Sequence, residues 1–217
     1  MPLPVVFDLD GTLIDSAPDI HAAVARMLAT EGLPPLPLDV VRGFIGNGVV
    51  VLVERVMAAS GIAAAEHPRL LARFQAEYDS SPSALTTVFA GVEEALATLT
   101  ERGHPLGVCT NKPEATSRAI LGDLGLLRHF GTVLGGDSLL HRKPRPEPLL
   151  HSFRQLGAAR GLYVGDSEVD GETALAAGVP FFLFTRGYRK AEPAEIPHRV
   201  SFDDHAALPS LVAGVAS

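Results

Sequence analysis

Residues 5–13 read Val5-Val6-Phe7-Asp8-Leu9-Asp10-Gly11-Thr12-Leu13. Three apolar residues run straight into an Asp-Leu-Asp-Gly turn, the pattern of a buried strand that stops at a tight bend. The same pattern recurs down the chain. Pro105–Cys109 ends at Thr110-Asn111, and Thr132–Leu134 at Gly135-Gly136-Asp137. Gly161–Val164 ends at Gly165-Asp166-Ser167, and Phe181–Phe184 at Thr185-Arg186-Gly187. Most of these runs are uniformly apolar, as expected for a parallel sheet covered on both faces. Helical patterns lie between them: Val92–Glu101, Glu114–Leu124 after Pro113, Glu147–Leu156, and Asp170–Ala177 ending at Gly178. Helix and strand alternate from residue 89 onward, which predicts an α/β fold with a doubly wound parallel sheet, Rossmann-like in build.

Residues 16–82 break that alternation. Asp19–Glu31, Gly48–Ser60 and Pro68–Ser80 read as helices with polar breaks and no strand between them. The expected organisation is therefore a core of 1–15 and 83–217 with an inserted α-helical cap at 16–82. Its hinges fall near Ile14-Asp15-Ser16 and near Ser80–Ser83.

The 217 residues carry 47% hydrophobic and 20% charged side chains, enough apolar material for a core and too much for disorder. Lys and Arg number 18 against 25 Asp and Glu, a formal charge of -7 that argues against a nucleic-acid partner. Cys109 is the single cysteine, so neither an internal disulfide nor a thiolate zinc cluster is possible. The first residues lack the basic start of a signal peptide, and no apolar window reaches membrane length. A soluble cytoplasmic protein with no membrane partner is the expectation, as monomer or homodimer.

In open α/β sheets the site lies at the carboxyl ends of the strands. Asp8 and Asp10 follow the first strand, Thr110 and Asn111 the second. Lys143 lies downstream of the third, and Asp166 and Asp170 flank the turn after the fourth. Carboxylates crowded at one sheet edge are costly unless a cation neutralises them, and a hard oxygen-ligated ion, most simply Mg²⁺, is the usual solution. Thr110, Asn111 and Lys143 suit an anion beside it, and metal plus anion suggests a phosphate group. Singly, each residue has a plainer reading. Asp-Gly makes ordinary turns, and Thr110 or Asn111 can cap the helix after Pro113. Lys143 can be a solvated loop residue, and Ser167 and Asp170 suit a helix N-terminus. Their ordered occurrence at successive strand ends is what favours a site.

Four stretches in order resemble the motifs of the haloacid dehalogenase-like phosphohydrolases: Phe7–Leu13, Cys109-Thr110-Asn111-Lys112, Lys143-Pro144, and Gly165–Asp170. The resemblance spans the whole chain, and residues 16–82 fall where one subgroup carries a four-helix cap. Leu13–Asp19, Phe44–Gly48 and Gly135–Ser138 are most similar to bacterial members acting on 2-phosphoglycolate. The resemblance implies a Mg²⁺-dependent phosphatase for a small phosphorylated metabolite. Asp8 would be the nucleophile and Asp10 the general acid and base. Asp8, Asp166 and the main-chain carbonyl of Asp10 would hold the metal. Thr110, Lys143 and amides around Asn111 would hold the phosphoryl group. Asp170 would orient Lys143 or a metal-bound water, with Ser167 and Glu168 less defined.

In the cap, Gly46-Asn47-Gly48 is either a loop before a helix or a loop facing substrate. Arg42 is the nearest cation for a substrate carboxylate, although a lone arginine is more often at the surface. His21 and His67 allow a substrate contact but suit surface positions better. Cys109 reads as a small core residue. Asp10 argues against a dehalogenase of this superfamily, and the absence of lysine from 16–82 argues against a Schiff-base phosphonatase. A hexose phosphomutase shares the chemistry. A phospho-acceptor receiver module would carry its aspartate after a middle strand and have no helical insert.

Overall fold

The computed structural model describes residues 2–215. Val5–Phe7 forms β1, in the middle of a parallel sheet. After a turn, Ile14–Asp15 forms β2, and the chain enters a run of helices: α1 (Ala17–Thr30), α2 (Leu38–Arg42), α3 (Val49–Ala59) and α4 (His67–Asp79). It returns through β3 (Thr87–Val88), which pairs antiparallel with β2. The two crossings between the sheet and the helical block are thus hydrogen-bonded side by side. The return falls at β3 rather than at Ser80–Ser83, which lies in the turns after α4.

The remainder alternates: α5 (Val92–Glu101), β4 (Leu106–Cys109), α6 (Glu114–Asp123), β5 (Thr132–Leu134), α7 (Glu147–Gln155), β6 (Leu162–Gly165), α8 (Glu168–Ala177), β7 (Phe181–Phe184), β8 (Val200–Phe202) and α9 (Leu208–Ala213). Among the described residues the main sheet runs β5-β4-β1-β6-β7-β8, with every pairing parallel. The chain winds outward from β1 through β4 to β5, then crosses to β6 on the other side. That reversal leaves a crevice at the carboxyl edge of β1.

The uniformly apolar strands have a simple cause. Successive side chains of a strand point to opposite faces. Val5 and Phe7 join one apolar cluster, while Val6 joins the other; Phe182 and Phe184 likewise oppose Phe181 and Leu183. The first cluster continues through Leu13 and Ile14 into Ile20, Val24, Leu52 and Phe74, so the helical block shares a core with the sheet. α1 begins with Pro18 in its first turn and closes at Gly32, whose φ of 71° only glycine adopts freely. Five elements were not expected from the sequence: the short strands β2 and β3, the five-residue α2, the edge strand β8 and α9. α8 also starts earlier than the expected Asp170, because Ser167 and Asp170 form a reciprocal cap at its N-terminus. Among the described residues no helix is long and apolar enough to cross a membrane.

Candidate active site

Asp8 is the first residue beyond β1 and is buried to 6% exposure. Its Oδ1 lies 2.9 Å from Lys143 Nζ. The same ammonium donates to Asp170 Oδ1 at 2.7 Å and to the Tyr163 hydroxyl at 2.8 Å, and its side chain is 1% exposed. Asp170 accepts on its other oxygen from the Ser167 hydroxyl at 2.6 Å and from the N–H groups of Ser167 and Asp166. Asp166 accepts from Thr12 Oγ1 at 2.7 Å and from the Tyr188 N–H at 2.6 Å. Carboxylate oxygens of Asp8, Asp166 and Asp170 lie within 4.8 Å of one another. The backbone here is as close-set as the side chains. A Cβ at Gly11, whose φ is 84°, would stand 2.4 Å from Asp166 Oδ2.

Three buried carboxylates lie together with one ammonium that contacts two of them, and the balance shows in their protonation. Burial pushes Asp8 up to about 7; Lys143 opposes that rise and Asp170 adds to it. Burial, with Asp170 and Asp8, holds Asp166 well above the carboxylate range. Burial acts the same way on Asp170, but Lys143 and the hydrogen bonds of Ser167 and Tyr163 outweigh it and keep its carboxyl low. Asp170 is therefore the committed anion that anchors Lys143, while Asp8 and Asp166 are the carboxylates that would gain from a cation. The cluster offers only carboxylate oxygens, a donor set that fits a hard ion such as Mg²⁺. Cys109 beneath it is buried, and burial pushes its thiol up to about 12, so it is no nucleophile.

The raised value of Asp8 has a signed consequence for stability. Between about pH 4 and 7 the folded protein keeps a proton that the unfolded chain gives up, so stability falls as pH rises through this window. Asp8→Asn mimics the protonated form and lacks this dependence. In divalent-free buffer it melts above the wild type at pH 8, and the gap closes toward pH 5. Parallel melting curves for the two proteins across that range would remove the basis for a strained Asp8.

Asp10, two residues on, faces a different set of groups. It accepts from Ser16 Oγ at 2.5 Å and from Lys112 Nζ at 3.0 and 3.2 Å. Burial works against the Lys112 charge, but Asp10 and Tyr78 outweigh it and hold the ammonium above the usual lysine range. Thr110 is buried beside them and accepts from the Lys112 N–H at 3.3 Å. Asp10, Thr110 and Lys112 floor a cavity of about 240 Å³ walled by Ile45, Val49, Leu52 and Phe74 of the helical block and by Pro113, Ala115 and Thr116 of the core.

The sequence-derived candidates fare differently. Asp8, Lys143, Asp166, Asp170 and Ser167 converge, and Asp10 and Thr110 adjoin them. The Asn111 side chain donates to the carbonyls of Gly46 at 3.0 Å and Lys143 at 3.1 Å, so it ties the helical block to the core. Gly46 and Gly48 line the cavity, with φ of 114° and 86°. The Asn47 side chain is engaged by Arg55 at 2.9 Å. Arg42 does not line the cavity: it lies 3.8 Å from Asp15 and 5.8 Å from the Tyr188 ring centroid. His21 and His67 contact the backbone carbonyls of Leu36 and Val50 within the helical block. Glu168 accepts from the N–H groups of Lys190 and Ala191. Lys112, Tyr163, Thr12 and Ser16 were given no role from sequence. Only Lys112 carried a signal there, as a charged residue directly after Thr110-Asn111.

Comparison with known proteins gives the family. Residues 5–184 match the haloacid dehalogenase-like hydrolase family. A phosphoglycolate phosphatase of Cereibacter sphaeroides (strain ATCC 17029) is 52% identical over 210 residues, 96% of each chain. One from Rhodobacter capsulatus is 40% identical, covering 97% of this chain and 96% of its own. The crystal structure of a predicted phosphoglycolate phosphatase from Haemophilus somnus 129PT superposes with a TM-score of 0.92 at 30% identity over 97% of each chain. The chain belongs to the haloacid dehalogenase-like hydrolases. Within them it is an enzyme of the phosphatase kind.

Proposed function

We propose that this phosphatase hydrolyses a small phosphate monoester, 2-phosphoglycolate first among candidates, through a phosphoryl group carried on Asp8. The observation that carries the reading is the pair of carboxylates at the end of β1. Asp8 is held against Lys143 and a carboxylate cluster, while Asp10 stands beside it with its own lysine and opens to the cavity. The substrate choice rests on the relatives at 40–52% identity, which are phosphoglycolate phosphatases.

An Asp8 oxygen attacks phosphorus as the bond to the ester oxygen breaks, and Asp10 gives that oxygen its proton. Water then attacks the phosphoryl group on Asp8, Asp10 takes the water's proton, and phosphate leaves with Asp8 restored. Lys143 neutralises charge on Asp8 and on the phosphoryl oxygens, with Thr110 beside it. Asp8, Asp166 and the main-chain carbonyl of Asp10 would hold Mg²⁺, which when bound supplies charge neutralisation for the carboxylates and the transferring phosphoryl group. Residues 16–82 act as a cap over the cavity, a role supported by the Asn111–Gly46 hydrogen bond between block and core.

Chelation should abolish turnover and Mg²⁺ restore it. Ca²⁺ should support it poorly, because it prefers more ligands at longer distances than an octahedral site offers. A panel of phosphate esters assayed with each ion checks both substrate and metal. Full activity in excess chelator would remove the carboxylate cluster from the mechanism.

A further inference from the structure

The cavity floor holds a cation that phosphoryl transfer as described leaves without a task toward substrate. The Lys112 side chain is 5% exposed, and both of its hydrogen bonds go to Asp10. Its ammonium stands 4.7 Å from the Tyr78 ring centroid. An ammonium has three N–H donors; the Asp10 pair engages two, and the buried Tyr78 hydroxyl stands near the third, so a substrate anion would displace that neutral hydroxyl as its partner. Among the described residues lining the cavity, Lys112 is the one cation; Asp8, Asp10 and Asp79 are acidic, and much of the remaining wall is apolar. The neighbouring cations are occupied elsewhere. Lys143 is locked between Asp8 and Asp170. Arg42 is turned to Asp15, and Arg55 holds Asn47 and the Phe44 carbonyl. Two further cations, Lys190 in the adjoining cleft beside Asp8 and Asp10 and Arg142 beside Gly48, are not among the residues lining this cavity. A second anionic group on a substrate in this cavity has Lys112 to meet.

The geometry also sets how far that group stands from the ester. A general acid must come within about 2.6–3.2 Å of the oxygen it protonates. Lys112 Nζ lies 3.0 and 3.2 Å from the oxygens of that same acid. With bonds of about 1.5 Å, a carboxylate on the carbon that bears the ester oxygen keeps its own oxygens within about 3.6 Å of it. It can therefore reach Lys112 while Asp10 reaches the ester oxygen. A neutral amide offers the ammonium only a carbonyl in place of a charge, and hydrogen bonds between charged groups are the stronger.

We propose that Lys112 receives the substrate's carboxylate, so that the site selects 2-phosphoryloxy carboxylates by the position of the acid relative to the ester. The proposal rests on the phosphatase reading above, deepens it, and replaces Arg42 as the carboxylate's partner.

The test compares kcat/KM for 2-phosphoglycolate, its neutral amide and ethyl phosphate in the wild type, Lys112→Met and Lys112→Arg, with Mg²⁺ present. Nitrophenyl phosphate reports the chemistry independently. The wild type should prefer the acid over the amide by about 10²-fold, the scale of a hydrogen bond to a charged group in a site built for it. That preference should shrink to a few-fold in Lys112→Met and return in part in Lys112→Arg. Should the Met variant fail to fold, Lys112→Gln, which keeps a donor without the charge, should lose the preference equally. A variant slowed alike on all three esters, its preference intact, would reduce Lys112 to a partner of Asp10 and overturn the proposal. A wild type that turns over nitrophenyl phosphate but does not distinguish acid from amide overturns it while leaving the phosphatase reading standing. A wild type inactive on every ester overturns both.

Discussion

Given nitrophenyl phosphate and Mg²⁺, Asp10→Asn should release at most one phenolate per site and then stop, with a phosphoryl group left on Asp8. The asymmetry follows from the two tasks assigned to one carboxyl. Nitrophenolate is stable as an anion and leaves without a proton, so the first step survives loss of the acid. The second step needs a base for water whatever the leaving group was, and an amide cannot serve. An alkyl phosphate should fail at the first step and leave Asp8 largely unmodified. The substitution keeps the main-chain carbonyl proposed as a metal ligand, and its side-chain oxygen can still accept from Lys112 and Ser16, so the surroundings are disturbed little. Steady-state turnover should fall by roughly 10⁴-fold or more, the scale seen when one member of a catalytic unit is removed. Intact mass after an acid quench locates the label. Asp8→Asn should show neither burst nor label, and a label on any other residue would displace Asp8 as nucleophile.

Replacing Lys143 should cost both rate and stability, and the two losses should respond differently to metal. Its ammonium is the cation in direct contact with Asp8 and Asp170 at 2.9 and 2.7 Å. Lys143→Met keeps much of the volume and removes the charge. Breaking one side of a buried ion pair costs about 3–5 kcal/mol, because the other side stays buried and uncompensated. The Met variant should melt well below the wild type in chelator and recover part of the difference in Mg²⁺, which would supply charge to Asp8 and Asp166. Activity should not recover with it. A preorganised donor to the transferring group is worth about 10²–10³ in kcat, and metal concentration does not replace it. Thermal melts and kcat across a Mg²⁺ titration separate the two effects. A variant with near-normal kcat would return Lys143 to a structural role.

The sequence made the sheet legible because both faces of β1, β4, β6 and β7 are covered, which leaves little room for polar residues until each strand ends. Strand ends then stood out as the places where Asp8, Thr110 and Asp166 appear. β8 escaped notice because it is an edge strand whose middle residue, Ser201, faces water. α2 escaped because five residues are too few for a helical period to register. Site residues were readable where the backbone alone fixes their place. They were not where a side chain travels: Tyr163 reads as one more apolar strand residue, yet its hydroxyl reaches Lys143 and Asp170. Lys112 stands in the sequence only as the end of the second motif, with no role of its own, yet its stem crosses the floor to Asp10. Arg42 illustrates the converse, a plausible cation that packs instead beside the β2–β3 ribbon at Asp15.

That two-stranded ribbon bears on how such an enzyme changes its diet. Because β2 and β3 are paired, residues 16–86 leave and rejoin the core at neighbouring points, about 4.8 Å apart across the ladder. From the side of the sheet, the whole helical block is a very long hairpin loop. The entropy of closing a loop rises only slowly with its length, so loop closure itself sets little limit on how much chain hangs from that stem. Segments of different size and shape can be grafted there, provided they cover the apolar face that Ile20, Val24, Leu52 and Phe74 now cover, while Asp8, Lys143, Asp166 and Asp170 stay where the sheet puts them. Lys112 lies on the core side of the stem, so a graft would redraw the apolar walls around a substrate without removing the charge that meets it.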